Sequence, residues 1–223
     1  ATASWVDRVY VSTSGTLSGA TLLGSVTRAT NVAIGASYTG TLSVTMPVLA
    51  DGNYTVIVET DATDVIFERD GEANNQRSAT GTLAINSPDL IPQTITVPAQ
   101  GQSGQPITVT WFVTNNGSGP SNGTWVDRVY LSTNQTFDGG DTLLGEVARP
   151  SALAVGASYN SSLTATLPQG LDGTFYILVV TDATNTVGEG VAGETNNRAT
   201  STVLTVAPAT YADLTVTSAT AAA

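Results

Sequence analysis

A phrase of ten residues occurs twice in this chain, as SWVDRVYVST at 4–13 and as TWVDRVYLST at 124–133. The likeness then continues in the same order. TLLG at 21–24 answers TLLG at 142–145 after an insertion in the second copy at 138–141, and GASY at 35–38 answers 156–159. Asp51 and Gly52 answer Asp172 and Gly173, TDAT at 60–63 answers 181–184, and Glu72, Asn74 and Asn75 answer Glu194, Asn196 and Asn197. Ordered blocks repeated at a fixed spacing mark a duplicated structural unit, so the chain is expected to use one module more than once.

The segment 88–123 has no counterpart before Ser4, while Asp213, Leu214 and Val216 echo its opening at Asp89 and Leu90. The expected organisation is therefore a first module over 1–86 that lacks its opening strands, a complete module over 87–209, and a tail, 210–223. That tail reads as the first strand of a further repeat or as a donor strand that can be exchanged. The economical explanation is a window on a longer tandem array.

Apolar residues alternate with polar ones with period two, which predicts half-buried strands, and no window carries a helical stripe. In the complete module the pattern predicts strands near 89–97, 106–114, 125–132, 142–148, 158–167, 174–181 and 198–206. Seven short strands punctuated by Gly, Pro, Asn and Asp are the count and spacing of an immunoglobulin-like sandwich. The predicted fold is all-β: tandem immunoglobulin-like antiparallel β-sandwiches. Asn115-Asn116-Gly117 and Asp172-Gly173 are expected to supply the positive-φ turns.

The repeated phrase becomes the third strand, where such sandwiches bury a Trp. Trp125, Asp127, Val129 and Leu131 share the core-facing side of the pleat. A carboxylate there is costly unless it is paired, protonated or bound to metal. Two readings stay open for Asp7 and Asp127: acceptors satisfied at a strand end, or ligands reaching toward a cation.

Composition narrows the chemistry. The chain has no Cys and no His, which removes thiol and Ser-His-Asp nucleophiles, His acid-base pairs and zinc sites built on those residues. Paired carboxylates remain as a catalytic route, but no second carboxylate is expected opposite Asp127, so the chain is not expected to be an enzyme. A net charge of −11 with only seven basic residues gives no face for nucleic acid. No apolar run approaches the ~20 residues of a membrane span.

The ordered set Pro88-Asp89-Leu90, the strand and loop over 104–119, WVDRVYLST at 125–133, DTLLG at 141–145, GASY at 156–159 and Glu194 with Asn196 and Asn197 resembles the cell-adhesion-related domain found in bacteria, CARDB. No single piece is distinctive; their order is. The resemblance covers the complete module and the matching part of the first. It implies an extracellular module strung in tandem in large bacterial or archaeal surface or secreted proteins, with adhesion as the associated role.

Acidic and amide side chains collect between the last two predicted strands of each module. Asp127 with Asp182, Asn185, Glu189, Glu194 and Asn196 form a candidate Ca²⁺ set in the complete module, because Ca²⁺ takes six to eight oxygen donors from flexible loops. Asp7, Asp61, Asp64, Glu68, Glu72 and Asn74 form the equivalent set in the first, and Asp138 with Asp141 a second cluster. The competing reading is that Asp and Asn cap their own turns. The leading function is a structural repeat of a stalk, fibre or adhesin shaft whose partners are neighbouring copies, joined end to end or by strand complementation. The alternative is an accessory carbohydrate-binding module, or contact with a cell-surface protein or glycan, using the loop aromatics Phe67 and Phe137.

Overall fold

In this computed structural model the described residues are 4–29, 31–149, 152–210 and 213–220. The chain divides into two compact units, residues 1–87 with 188–192 and residues 88–187 with 193–223. The architecture is nearly all β. The first unit holds β1 (Trp5–Ser12), β2 (Thr21–Arg28), β3 (Gly52–Glu59) and β4 (Gln76–Ile85). The second holds β5 (Leu90–Thr96), β6 (Gln100–Gln102), β7 (Pro106–Asn115), β8 (Trp125–Ser132), β9 (Thr142–Arg149), β10 (Ser158–Thr166), β11 (Gly173–Val180), β12 (Arg198–Thr200) and β13 (Leu204–Ala207).

The second unit is a β-sandwich. One antiparallel sheet runs β10-β7-β5; the other runs β6-β13-β11-β8-β9, with β12 also paired to β11. Alternation in the sequence explains the layering, since every second residue of a strand faces the same side. Leu90, Val109 and Trp111 from the first sheet meet Trp125, Val129 and Ile177 from the second in one buried cluster. The third strand of the expected sandwich is β8, and its core face alternates as the pattern predicts, with Trp125, Asp127, Val129 and Leu131 all buried. Its outer face carries Arg128 on Glu146 at 3.2 Å, an exposed pair of small energetic weight.

Three expectations are corrected. The last strand is not continuous: Ser201 donates its backbone N–H to the Ile177 carbonyl while its hydroxyl accepts the Ile177 N–H. The side chain thus stands in for a ladder carbonyl, and the pairing breaks into β12 and β13. Strand β6 was not anticipated; Gln100-Gly101-Gln102 has no apolar alternation, and it pairs with β13 in parallel. The turn after β7 uses no positive φ at Asn115, Asn116 or Gly117. Instead the buried Asn115 carboxamide accepts from Asp89 N and Gly117 N and donates to the carbonyls of Gly119 and Leu153. Gly173 does take the expected positive φ, at 113°.

In the first unit the sheet order is β2-β1-β3-β4. Its β1–β2 hairpin has the same register as β8–β9, Trp5 opposite Arg28 and Trp125 opposite Arg149, with the same bulge, between Val9 and Tyr10 and between Val129 and Tyr130. A bulge kept at one place in both copies adds local twist to the same point of each sheet. Among the described residues of 1–86 this one four-stranded sheet is formed. Residues 31–50 carry no strand, although 37–45 match β10 in sequence. In the second unit β10 is held along its length by β7, whereas among the described residues no strand pairs with 37–45. Inner-face residues are left open as a result. Val58 is 43% exposed where its counterpart Val179 is 0%, and Leu83 is 37% exposed where Leu204 is 0%.

In the tail, residues 213–220 carry no strand, and Leu214 and Val216 are exposed. Positions 211, 212 and 221–223 of the expected terminal segment lie outside the described residues, as do 1–3 of the first module.

Candidate site: a buried carboxylate clasp

Strand β8 delivers Asp127 to the core because it sits two positions after Trp125, on the same face of the pleat. The carboxylate is 0% exposed. Three donors close on it: Trp111 Nε1 to Oδ2 at 2.9 Å, Tyr159 Oη–H to Oδ2 at 2.7 Å and Thr181 Oγ1–H to Oδ1 at 2.6 Å. Trp111 lies on β7 and Tyr159 on β10, while Asp127 and the residue after β11 belong to the opposite sheet. One carboxylate therefore ties the two layers together, with short charge-assisted hydrogen bonds rather than with a counter-ion.

A further layer holds the clasp in shape. Trp125 Nε1 donates to Tyr159 Oη at 3.2 Å, and the Arg149 guanidinium lies 3.7 Å from the centre of the Tyr159 ring. Arg149 Nε is buried there with no hydrogen-bond acceptor, so its seat is the aromatic face. Burial, followed by the neighbouring Asp127 charge, pushes the Tyr159 phenol well above its ordinary value.

The first unit builds the same centre from a different donor set. Asp7 accepts from Trp5 Nε1 at 3.0 Å, Thr60 Oγ1 at 2.8 Å, Tyr38 Oη at 2.9 Å and Arg28 Nε at 2.9 Å. No indole arrives from a second sheet; Arg28, the counterpart of Arg149, occupies the carboxylate instead. Burial by itself would raise the Asp7 carboxyl, but the hydrogen bonds from Arg28, Thr60, Tyr38 and Trp5 together outweigh it and hold it below its usual value.

The loop carboxylates organise backbone. Asp182 has φ of 42° and Asp61 of 46°, left-handed positions that Asp and Asn tolerate better than most residues. Asp182 accepts Thr186 N and Val187 N at 3.0 and 2.7 Å, and Asp61 accepts Val65 N and Ile66 N at the same distances. Asp138 accepts Gly140 N and Asp141 accepts Asp138 N, closing their own turn. Glu72 accepts Glu68 N, Asn74 lies in the short 3-10 helix Glu72–Asn74, and Asn196 donates to Asp89. Asp61, Asp64 and Glu72 share an open groove with Glu59. Asn185 joins Asp61, Asp64 and Asp182 among the left-handed loop positions, at φ 52°. Glu189 and Glu194 lie further along the connection between β11 and β12, Glu194 exposed.

Among the described residues no group of three or more acidic side chains is placed to hold a metal ion. Asp127 is sealed from solvent and faced by N–H and O–H donors, which is the environment of an acceptor and not of a cation ligand. The loop aromatics also divide. Phe67 is 86% exposed, whereas the half-buried Phe137 packs edge-on against Tyr130 at 4.9 Å and lies under Arg198 at 4.6 Å.

Trp111, Tyr159 and Thr181 complete the clasp, and sequence reasoning did not assign them to Asp127. Two of them carried a signal in retrospect: Tyr38 and Tyr159, like Thr60 and Thr181, stand at matching positions of the repeat. Trp111 carried none, because its segment occurs once.

The CARDB family profile matches residues 87–201, just over half of the chain. Among solved structures, a CARDB domain from Pyrococcus furiosus, crystallised in complex with di-metal ions, is 24% identical, with 57% of this chain and 100% of that one covered and a TM-score of 0.43. A β-glucosidase from Listeria innocua in complex with glucose is 15% identical over 56% of this chain and 16% of its own, with a TM-score of 0.34. A β-D-glucoside glucohydrolase from Trichoderma reesei is 19% identical over 56% and 19%, with a TM-score of 0.33. No curated protein matches the sequence. At these identities and scores nothing about chemistry or partners transfers to this chain.

Proposed function

We propose, from the premise that this chain belongs to the CARDB family, that it is a structural segment of a large extracellular surface or secreted protein, in which tandem CARDB units act as a shaft. The family supports an adhesion-related structural module. The observation that carries the finer reading is the repetition: β1–β2 and β8–β9 share sequence, register and bulge, as expected of a unit copied for spacing and not for chemistry. In this reading the chain is not an enzyme, since its most buried carboxylate is committed to holding two sheets together. No step of the proposed role needs a cation. Its partners are neighbouring copies of the same unit.

Antibodies raised against the 223-residue chain test the location. Labelling of intact cells, or recovery from the culture medium, is the expected result. Labelling that appears only after lysis would overturn it.

A further inference from the structure

Asn-Gly occurs twice in the connection from β7 to β8, as Asn116-Gly117 and as Asn122-Gly123. An asparagine carboxamide can be attacked by the backbone nitrogen that follows it, and glycine, having no Cβ, leaves that approach open. By sequence the two sites are equivalent. In the fold they are not, because the nitrogen attacks only when its proton is open to solvent and its peptide plane can turn.

At Asn116 both conditions fail. The Gly117 N–H donates to the buried Asn115 carboxamide oxygen at 3.0 Å, and the Asn116 N–H donates to the Asp89 carbonyl at 2.8 Å. The asparagines that precede Ser or Thr are engaged likewise. Ser87 N–H donates to Asp51 Oδ1 at 2.9 Å and Thr186 N–H to Asp182 Oδ1 at 3.0 Å, while Ser161 is held in the β10–β7 ladder opposite Trp111. At Asn122 both conditions are met. Asn122 and Gly123 are exposed, a Cβ added at Gly123 would meet nothing within 4 Å, and among the described residues nothing accepts the Gly123 N–H. The backbone is anchored on either side instead. Ser121 donates its N–H to the Leu153 carbonyl at 3.0 Å and accepts the Leu153 N–H on its hydroxyl at 2.8 Å, and β8 begins at Trp125.

We propose that Asn122 is a site of self-modification, at which the chain deamidates through a cyclic imide. The Gly123 nitrogen gives up its proton to solvent and bonds to Asn122 Cγ; the Cγ–Nδ2 bond breaks and ammonia leaves, closing a succinimide. Water then adds to one of the two imide carbonyls. Addition at Cγ opens the ring to aspartate, and addition at the main-chain carbonyl opens it to isoaspartate, whose extra backbone carbon falls between the Ser121 anchor and Trp125. Water is the only co-reactant, and either product carries a new carboxylate. The inference goes beyond the shaft reading and stands without it.

Arg77 and Arg128 bound one tryptic peptide that holds Asn86, Asn115, Asn116 and Asn122, so fragmentation of that peptide in a mass spectrometer compares them directly. The full chain is incubated at mildly alkaline pH, folded in buffer or unfolded in urea, and digested at intervals. In the folded chain Asn122 should deamidate at least about ten-fold faster than Asn116, with isoaspartate among the products, and in urea the two rates should come within about two-fold. Equal rates in the folded chain, or a faster Asn116, would overturn the proposal. So would an Asn122 that keeps its amide in buffer while the urea sample reacts. A ten-fold preference that persists in urea would assign the difference to neighbouring sequence and overturn the structural account. None of these outcomes bears on where the protein is located.

Discussion

Replacing Asp127 by Ala removes the single acceptor on which Trp111, Tyr159 and Thr181 converge. Each buried donor left without a partner costs about 1–3 kcal/mol. The Tyr159 hydroxyl has a second neighbour, Thr181 Oγ1 at 3.2 Å, so it recovers part of its loss; two stranded donors and a small cavity remain, for a total of about 3–6 kcal/mol. That is a large share of the 5–15 kcal/mol that a domain of this size holds. Asp127→Asn keeps an amide oxygen for two donors and turns its NH₂ toward the Thr181 hydroxyl, so about 1–3 kcal/mol is expected from weakening charge-assisted bonds to neutral ones. Asp7→Ala costs less, about 1–2 kcal/mol, because a cleft lined by Asp7, Arg28 and Tyr38 lets water reach the released donors. Urea unfolding of the full chain, followed by Trp fluorescence and far-UV circular dichroism, measures all three. A loss below about 1 kcal/mol for Asp127→Ala, or an equal loss for Asp7→Ala, refutes the account of the clasp.

Three further outcomes follow from the same geometry. The Asp7 carboxyl lies below its ordinary value in the folded state, so its contribution is fully present above the unfolded value of about 3.9 and is lost as pH falls through the folded value; Arg28→Met should flatten that acid limb in a pH series of unfolding midpoints. The Tyr159 phenol lies above its ordinary 10.0, so the unfolded chain releases its proton first and the second unit loses stability as pH rises past about 10. Tyr159→Phe should remove that slope, and a slope unchanged in the variant would contradict it. Thermal melting with excess chelator and then with added Ca²⁺ should give superimposable transitions, whereas a rise of several degrees on adding Ca²⁺ would restore the loop carboxylates as ligands.

Much of this was legible in the sequence because the determinants are local. Alternation placed Trp125, Val129 and Leu131 on a buried face, and a core-facing Asp127 announced itself by breaking the apolar pattern. What the sequence did not disclose depends on which strand lies alongside. Arg28 and Arg149 occupy the same repeat position yet bond differently, because only the second has Trp111 competing for its carboxylate. Residues 37–45 and 158–166 have the same alternation, and only the latter form a strand, since a ladder requires a neighbour. Ser201 interrupts its strand through a side-chain hydroxyl that composition could not distinguish from the many other hydroxyls of the chain. The loop carboxylates have the residue types of a calcium site, and their use as turn acceptors is set by backbone positions at positive φ that spacing does not reveal.

The claim that the repeated motif is the structural spine of the module rests on one N–H. In a nitrogen-15 correlation spectrum the Trp111 indole proton, donating to the sealed Asp127 carboxylate, should exchange with solvent only on global unfolding of the second unit and should not move when Ca²⁺ is added. Exchange within minutes under native conditions, or a shift on titrating Ca²⁺, would contradict it.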